Sequence, residues 1–181
     1  MSLAGGQAAV APAAAEPPQL PSPERLQALL FDAARLGRDD MIPALVQAGA
    51  GIEAQDERGY TPLVLAAYNG QAQAVTALLD LGAAPDGPTD ARGNGALMGV
   101  AFKGHASIAR QLLAAGADAN RRNHAGQTAL MMAALFGQKE IVDLLLAAGA
   151  DPEAQDAAGH SAAALARTQG NDMLAGALAR P

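Results

Sequence analysis

Glycines at a fixed interval are the feature that most limits how this chain can fold. Three sets of glycines each recur every 33 or 34 residues. The sets are Gly37, Gly70, Gly104, Gly137 and Gly170; Gly59, Gly93, Gly126 and Gly159; and Gly49, Gly82, Gly116 and Gly149. Agreement of three sets in one period is the signature of stacked structural repeats. The sequence therefore predicts a linear stack of similar units rather than one closed core.

Residues 123–155 indicate what one unit contains. Thr128 is placed to cap a first helix, because its hydroxyl can accept a backbone N–H that has no partner inside the helix. Gly137 ends that helix, and Gly149 with Pro152 ends a second one. The apolar residues recur at helical spacing: Leu130, Ala133 and Ala134, then Ile141, Val142, Leu144 and Leu145. Helices this short are unstable alone, so each unit must pack against its neighbours.

Residues 56–88 and 90–122 repeat the pattern of residues 123–155. The shared motifs are Thr61-Pro62-Leu63, Leu65-Ala66-Ala67, Asn69-Gly70, and the endings Leu112 to Asp118 and Leu144 to Asp151. This pattern resembles the ankyrin repeat over about residues 24–181. The resemblance implies an all-α solenoid of helix-turn-helix units with short turn or hairpin connections. We expect five units: 24–55 as an N-terminal cap, 56–89, 90–122, 123–155, and 156–181 as a C-terminal cap.

The sequence divides into a tail, residues 1–21, and a single repeat domain, residues 22–181. The tail is rich in Ala and Pro with Glu16 as its only charge, so we expect it to be disordered or extended. Localisation stays open: the composition suits a soluble cytoplasmic chain, or a periplasmic or secreted one if an export signal was removed before residue 4. The absence of cysteine excludes disulfides and thiol chemistry.

Two departures from the ankyrin pattern bear on stability. The family's histidine position holds Val64, Met98, Met131 and Ala164, so we expect apolar packing to replace the inter-repeat hydrogen bonds of that histidine. Gly95 stands where other units have Thr, which predicts that the third unit has the weakest helix start. An extra residue lies between Gly82 and Gly93, and we favour a tolerated loop insertion over a functional loop.

Catalysis and metal binding find no support in the sequence. The segment Gly93 to Gly99 matches a dinucleotide-binding loop only superficially, because its third glycine is misplaced and no strand precedes it. His105 takes a structural position at the start of a second helix. His124 and His160 lie in turns of adjacent units, and two imidazoles without a third ligand make a poor metal site. We predict no catalytic residues, no cofactor and no metal.

The aromatic residues are placed where ankyrin-like repeats hold partners. Tyr60, Tyr68, Phe102 and Phe136 fall at the turn tips and the exposed edge of the inner helices, whereas Phe31 does not. The resemblance implies that these positions face the concave surface, and aromatic side chains often anchor protein interfaces. The alternative is that the rings only cover the groove between turn and helix.

The charge pattern gives a second indication. The chain has a net charge of −6, which argues against binding to nucleic acid or to an anionic membrane. The third unit is nevertheless basic, because Arg92, Lys103, Arg110, Arg121 and Arg122 outnumber its acidic residues. A partner with an acidic patch opposite this unit would dock in a defined register. The alternative is ordinary solvated surface charge.

These observations predict a non-catalytic protein–protein interaction module that binds an unidentified partner protein on its concave face. The predicted partner-binding residues are Arg58, Tyr60, Tyr68, Asn69, Arg92, Asn94, Phe102, Lys103, His124, Gln127, Leu135 and Phe136. We expect a monomer. The alternatives are a small-molecule binder, for which an alanine-lined stack should leave little volume, and a self-assembling structural scaffold.

Overall fold

The computed structural model describes residues 21–179 and contains ten α-helices in that range. They are α1 (Pro23–Leu36), α2 (Ile42–Gln47), α3 (Pro62–Tyr68), α4 (Ala72–Asp80), α5 (Ala96–Lys103), α6 (Ala106–Ala114), α7 (Ala129–Leu135), α8 (Lys139–Ala147), α9 (Ala162–Thr168) and α10 (Asp172–Leu178). The tail predicted for residues 1–21 lies outside the described residues, apart from Pro21.

Successive helix pairs stack in one direction. The first helices of the pairs, α1, α3, α5, α7 and α9, pack against one another in an inner row. The second helices α2, α4, α6 and α8 form an outer row, and α10 packs on α9. The fully buried side chains include Leu30, Leu63, Leu78, Leu112, Leu130 and Leu145, so every seam in the stack has its own apolar contacts. The predicted all-α solenoid is confirmed.

The helix starts follow the side-chain chemistry that the sequence indicated. The hydroxyl oxygens of Thr61 and Thr128 accept the backbone N–H groups of Val64 and Met131, each at 3.3 Å. Gly95 makes no side-chain bond at the start of α5, although its backbone is extended like that of the two threonines. The first turn of α5 therefore lacks the cap that α3 and α7 have, as predicted.

The mid-unit glycines stand where two units approach most closely. Gly70 has a left-handed φ of 76°, and a Cβ built there would lie 2.9 Å from the His105 imidazole of the next unit. The same holds at Gly37 and Gly104, where a Cβ would lie 2.4 Å and 2.7 Å from glutamine side chains. At Gly170, in the last unit, nothing lies within 4 Å. The left-handed backbone thus favours glycine at each of these positions, and at Gly37, Gly70 and Gly104 a side chain of the next unit would also have to shift.

Side chains in the turns supply hydrogen bonds between units. Gln55 donates to the Thr89 carbonyl at 2.8 Å, and Arg122 donates to the Gln155 carbonyl at 2.6 Å. The His105 Nε2 lies 3.3 Å from the Tyr68 carbonyl oxygen. At the family's histidine position Val64, Met98 and Met131 are buried apolar side chains, and the hydrogen bonds between units come from other positions.

The extra residue between the second and third units lies in a turn that is held firmly. The Arg121 guanidinium donates to the carbonyls of Asp86 and Gly87, and lies 3.7 Å from the Asp86 carboxylate. The Asp86 carboxylate also accepts the Asp118 backbone N–H at 2.7 Å. The inserted turn is therefore fastened to the end of the third unit by a side chain and a backbone group.

We expect Gly70→Ala to destabilise the stack more than Gly170→Ala. Both residues have a similar positive φ, 76° and 72°, so each substitution incurs a conformational cost of about 1–2 kcal/mol. Only Gly70→Ala must also displace the His105 ring. The free energy of unfolding in urea would measure the difference. In the double variant with His105→Ala the excess cost should shrink, and equal costs in all backgrounds would contradict the close approach.

Candidate functional site

Four aromatic rings form a continuous row along the inner side of the stack. The ring centroids of Tyr60 and Tyr68 are 6.5 Å apart and those of Tyr68 and Phe102 are 6.2 Å apart, with interplanar angles of 16° and 11°. Phe102 and Phe136 are 4.6 Å apart in an edge-to-face arrangement. Tyr68, Phe102 and Phe136 remain 37%, 41% and 46% exposed. These large rings thus contact one another and still present surface to a ligand.

The repeat places these rings together. Tyr68 and Phe102 each stand two residues before a mid-unit glycine, at the ends of α3 and α5, and Phe136 follows the last residue of α7. Stacking of α3, α5 and α7 brings the three ends side by side. Tyr60 comes from the turn before α3, where its backbone N–H donates to the Asp56 carboxylate at 2.9 Å.

The row borders a cleft of about 550 Å³ between the turns and the inner helices. Nine of the twelve predicted partner-binding residues line it: Arg58, Tyr60, Tyr68, Arg92, Asn94, Phe102, Gln127, Leu135 and Phe136. Lys103 lies at its edge, His124 lines an adjoining hollow, and the Asn69 side chain instead donates to the Leu65 carbonyl at 2.8 Å. The structure thus gathers most of the predicted residues into one place.

Two glycines in the third unit leave open space in the cleft. Gly99 occupies the helical position that holds Leu65 in the second unit and Met132 in the fourth, so the side chain that would fill the groove is missing. Gly95 leaves further space, because a Cβ there would meet nothing closer than 3.9 Å. The expectation of little volume was wrong. Comparing Gly99 with the matching position of the neighbouring units could have revealed this from sequence.

Hydrogen bonds fix the polar wall of the cleft. The Asp90 carboxylate accepts the backbone N–H groups of Arg92 and Asn94 at 2.9 and 2.8 Å, and it also accepts the Asn94 amide at 3.1 Å. The Asn123 amide donates to the side-chain oxygens of Asn94 and Gln127, at 2.9 and 3.1 Å. Asn94 and Gln127 therefore enter the cleft in defined orientations, with part of their hydrogen-bonding capacity already used.

The positive charge of the third unit divides between structure and surface. Arg121 and Arg122 donate to backbone carbonyls of neighbouring turns, and Arg110 pairs with Glu140 at 3.3 Å. In contrast, Arg58 and Arg92 are exposed at the cleft and form no ion pair with any residue between 21 and 179.

A third cation lies at the same cleft. The Lys103 Nζ sits 5.1 Å from the centroid of the Tyr68 ring, within the range of a cation–π interaction. Arg58, Arg92 and Lys103 outnumber Asp90, the one carboxylate among the residues that line the cleft, so the cleft carries a local positive charge although the net charge of the chain is −6. An acidic ligand would meet attractive charge at this place in particular.

The remaining ionisable groups serve the turns. The pKa of Asp156 is lowered because its carboxylate accepts the backbone N–H of His160 and that of Ala158, which outweighs the effect of burial. Across the part of the chain that the structure describes, no group of three His, Cys, Asp or Glu side chains could hold a metal ion. None of the helices described is long and apolar enough to cross a membrane.

We expect Gly99→Leu to fill the cleft and stabilise the fold. The residue lies in a helix and not at a positive φ, and a Cβ there would meet Tyr68 at 3.4 Å, an ordinary contact. Replacing glycine inside a helix by a good helix former gains about 1 kcal/mol. Urea unfolding should therefore show a higher free energy of unfolding. A lower value would mean that the space beside Gly99 does not exist in solution.

Comparison with known proteins places the chain among repeat proteins. A family model of three ankyrin repeats matches residues 30–123 and 82–156. A putative ankyrin repeat-containing protein of Treponema pallidum (strain Nichols) is 39% identical over 92 residues, which cover 51% of this chain and 31% of that protein. The ankyrin repeat domain-containing protein 63 of Mus musculus is 34% identical over 95 residues, 50% of this chain and 24% of that protein. The chain thus matches less than a third of either relative.

Proposed function

Because the chain belongs to the ankyrin-repeat family, whose repeats are generally protein–protein interaction modules, we propose that it binds a partner protein in the concave cleft of units two to four. The observation that carries this proposal is the row of Tyr68, Phe102 and Phe136. Exposing three adjacent aromatic rings to water is unfavourable unless something covers them. The rings also have little conformational freedom to lose on binding, because each contacts the next.

The charges beside the rings favour a partner with an acidic patch. Arg58, Arg92 and Lys103 surround the aromatic row, and a carboxylate near them would gain attraction without breaking an ion pair among the described residues. Such a contact fixes the register of a bound partner more than it raises affinity. The rings would supply most of the affinity, as aromatic anchors commonly do.

We expect the triple variant Tyr68→Ala, Phe102→Ala, Phe136→Ala to lose its partner. The immobilised chain would capture proteins from an extract of the source organism, and the captured partner would then be titrated in purified form. Loss of one anchoring ring costs roughly 2 kcal/mol, which is about thirtyfold in Kd. The three rings are partly exposed, so the far-ultraviolet circular dichroism should not change.

The matched control carries Leu146→Ala and Met173→Ala. These two side chains are also large, apolar and exposed, at 36% and 90%, but they do not line the cleft. The control should retain the affinity of the unchanged chain. Equal losses in the control and the triple variant, or no loss in either, would refute the concave cleft as the binding surface.

A small apolar ligand is a second candidate, which the volume of the cleft favours. A volume of about 550 Å³ lies within the range of small-molecule sites, and most of the lining is apolar. A ligand of this kind would raise the melting temperature of the unchanged chain in a panel of apolar metabolites. The same compound should not raise that of Gly99→Leu, because the leucine occupies the space. A rise in both proteins would place the ligand elsewhere.

A further inference from the structure

The cleft fits a ligand that the chain itself carries. We propose that residues 12–20 of the N-terminal segment bind in the concave cleft of the same molecule, with their prolines against the aromatic row and Glu16 beside the cationic side chains. This inference rests on the proposed function in one respect, because it uses the same cleft. It adds that the preferred occupant is an extended, proline-containing chain with one acidic residue.

The composition of the segment suits an aromatic groove. Residues 12–21 read PAAAEPPQLP, with prolines at 12, 17, 18 and 21. Proline favours the extended polyproline II conformation, in which little entropy remains to be lost on binding. Grooves lined by aromatic side chains are the surfaces that recognise such segments. The alanines between the prolines are small enough to let the chain approach the rings closely.

The length of the row suits an extended chain. The centroids of Tyr60, Tyr68, Phe102 and Phe136 follow one another at 6.5, 6.2 and 4.6 Å. Polyproline II rises about 3.1 Å per residue, so six residues cover about 19 Å. Residues 12–20 are therefore long enough to lie along all four rings.

The charges are complementary and few. Glu16 is the only charged residue in positions 1–21. The cleft presents Arg58 and Arg92 without an ion pair among residues 21–179, and Lys103 over the Tyr68 ring. One carboxylate against these cations sets where along the row the segment binds. The apolar residues on either side then lie over the rings.

The start of α1 lies beside the turn that leads to the cleft. When Gly37 is aligned with Gly70, Leu29 corresponds to Pro62, the first residue of α3. Helix α1 starts at Pro23, six residues before Leu29, and so begins earlier in its unit than α3 does. The Gln27 side chain exchanges two hydrogen bonds with the backbone of Gly51, at 3.1 and 2.7 Å, and so fixes the start of α1 beside the turn that leads to the second unit. That turn continues to Tyr60, the first ring of the row.

The tether makes even weak binding effective. Glu16 lies only five residues before Pro21, so Glu16 stays within about 18 Å of it. A ligand joined to its site by a short stretch of chain has an effective concentration in the millimolar range. A segment with millimolar intrinsic affinity would therefore occupy the cleft for much of the time. A second copy of the chain at micromolar concentration would not compete at the same intrinsic affinity.

A spin label on the full chain tests the proposal directly. The chain has no cysteine, so Ala14→Cys provides a single attachment site for a nitroxide. We expect the label to broaden the backbone amide signals of Tyr60, Tyr68 and Phe102 severalfold more than those of Leu79 and Leu113 in the outer helices. The pattern should not change on dilution. Equal broadening of both sets, or none, would overturn the proposal.

Matched variants identify the contacts. The triple change Glu16→Gln, Pro17→Gly, Pro18→Gly alters the segment and should remove the selective broadening. Gly99→Leu alters the cleft instead and should also remove the selective broadening. Glu24→Gln is the control, because it removes an exposed carboxylate of α1 outside the segment and should leave the broadening unchanged. Selective broadening that survives the triple change, or that Glu24→Gln abolishes, would contradict the assigned contacts.

Two further outcomes separate this proposal from its rivals. Mixing spin-labelled chains with isotope-labelled chains reports contacts between molecules, and broadening seen only in that mixture would mean that a second copy fills the cleft, which overturns binding within one molecule. If the label shows no selective contact while the aromatic triple variant still loses its partner, the segment proposal fails and the proposed function stands. If both tests fail, the cleft is not a binding surface.

Discussion

The close contact between one helix pair and the next is the constraint on which the rest of the structure depends. Most of the helices span only seven to nine residues, too few to be stable alone. Their burial comes from neighbours on both sides, through side chains such as Val75, Leu112 and Leu145 that have no exposed surface. Glycines at the seam leave room for side chains of the next unit, since a Cβ at Gly70 or Gly104 would force His105 or Gln138 to shift. Because each unit makes the same contact with the next, the glycines recur about every 33 residues in the sequence.

Much of the fold and part of the site follow from sequence for the same reason. The glycine intervals, the caps at Thr61 and Thr128, and the aromatic positions are local features that the repeat copies from unit to unit. What the sequence did not predict depends on how different units face one another. The volume of the cleft arises because Gly99 has no side chain to fill the space that Met132 of the next unit borders. No single unit shows that space.

The cations illustrate the same limit. Arg92 and Arg121 look equivalent as charges in one basic unit. Stacking turns Arg121 towards the carbonyls of the inserted turn, at Asp86 and Gly87, and leaves Arg92 at the cleft. The turn that contains the extra residue supplies the carbonyls that hold Arg121, whereas Arg92 is exposed at the cleft. A count of charges along the chain does not contain that information.

Gly99 has a consequence for how this molecule can change over generations. A glycine inside a helix weakens it by about 1 kcal/mol relative to alanine. Random change at this codon readily yields larger residues, and selection for sturdiness alone would retain them. Glycine at such a position is therefore expected to be replaced unless selection for a property other than stability retains it. Filling the hollow at Gly99 would make the fold more stable and would leave less open space in the cleft.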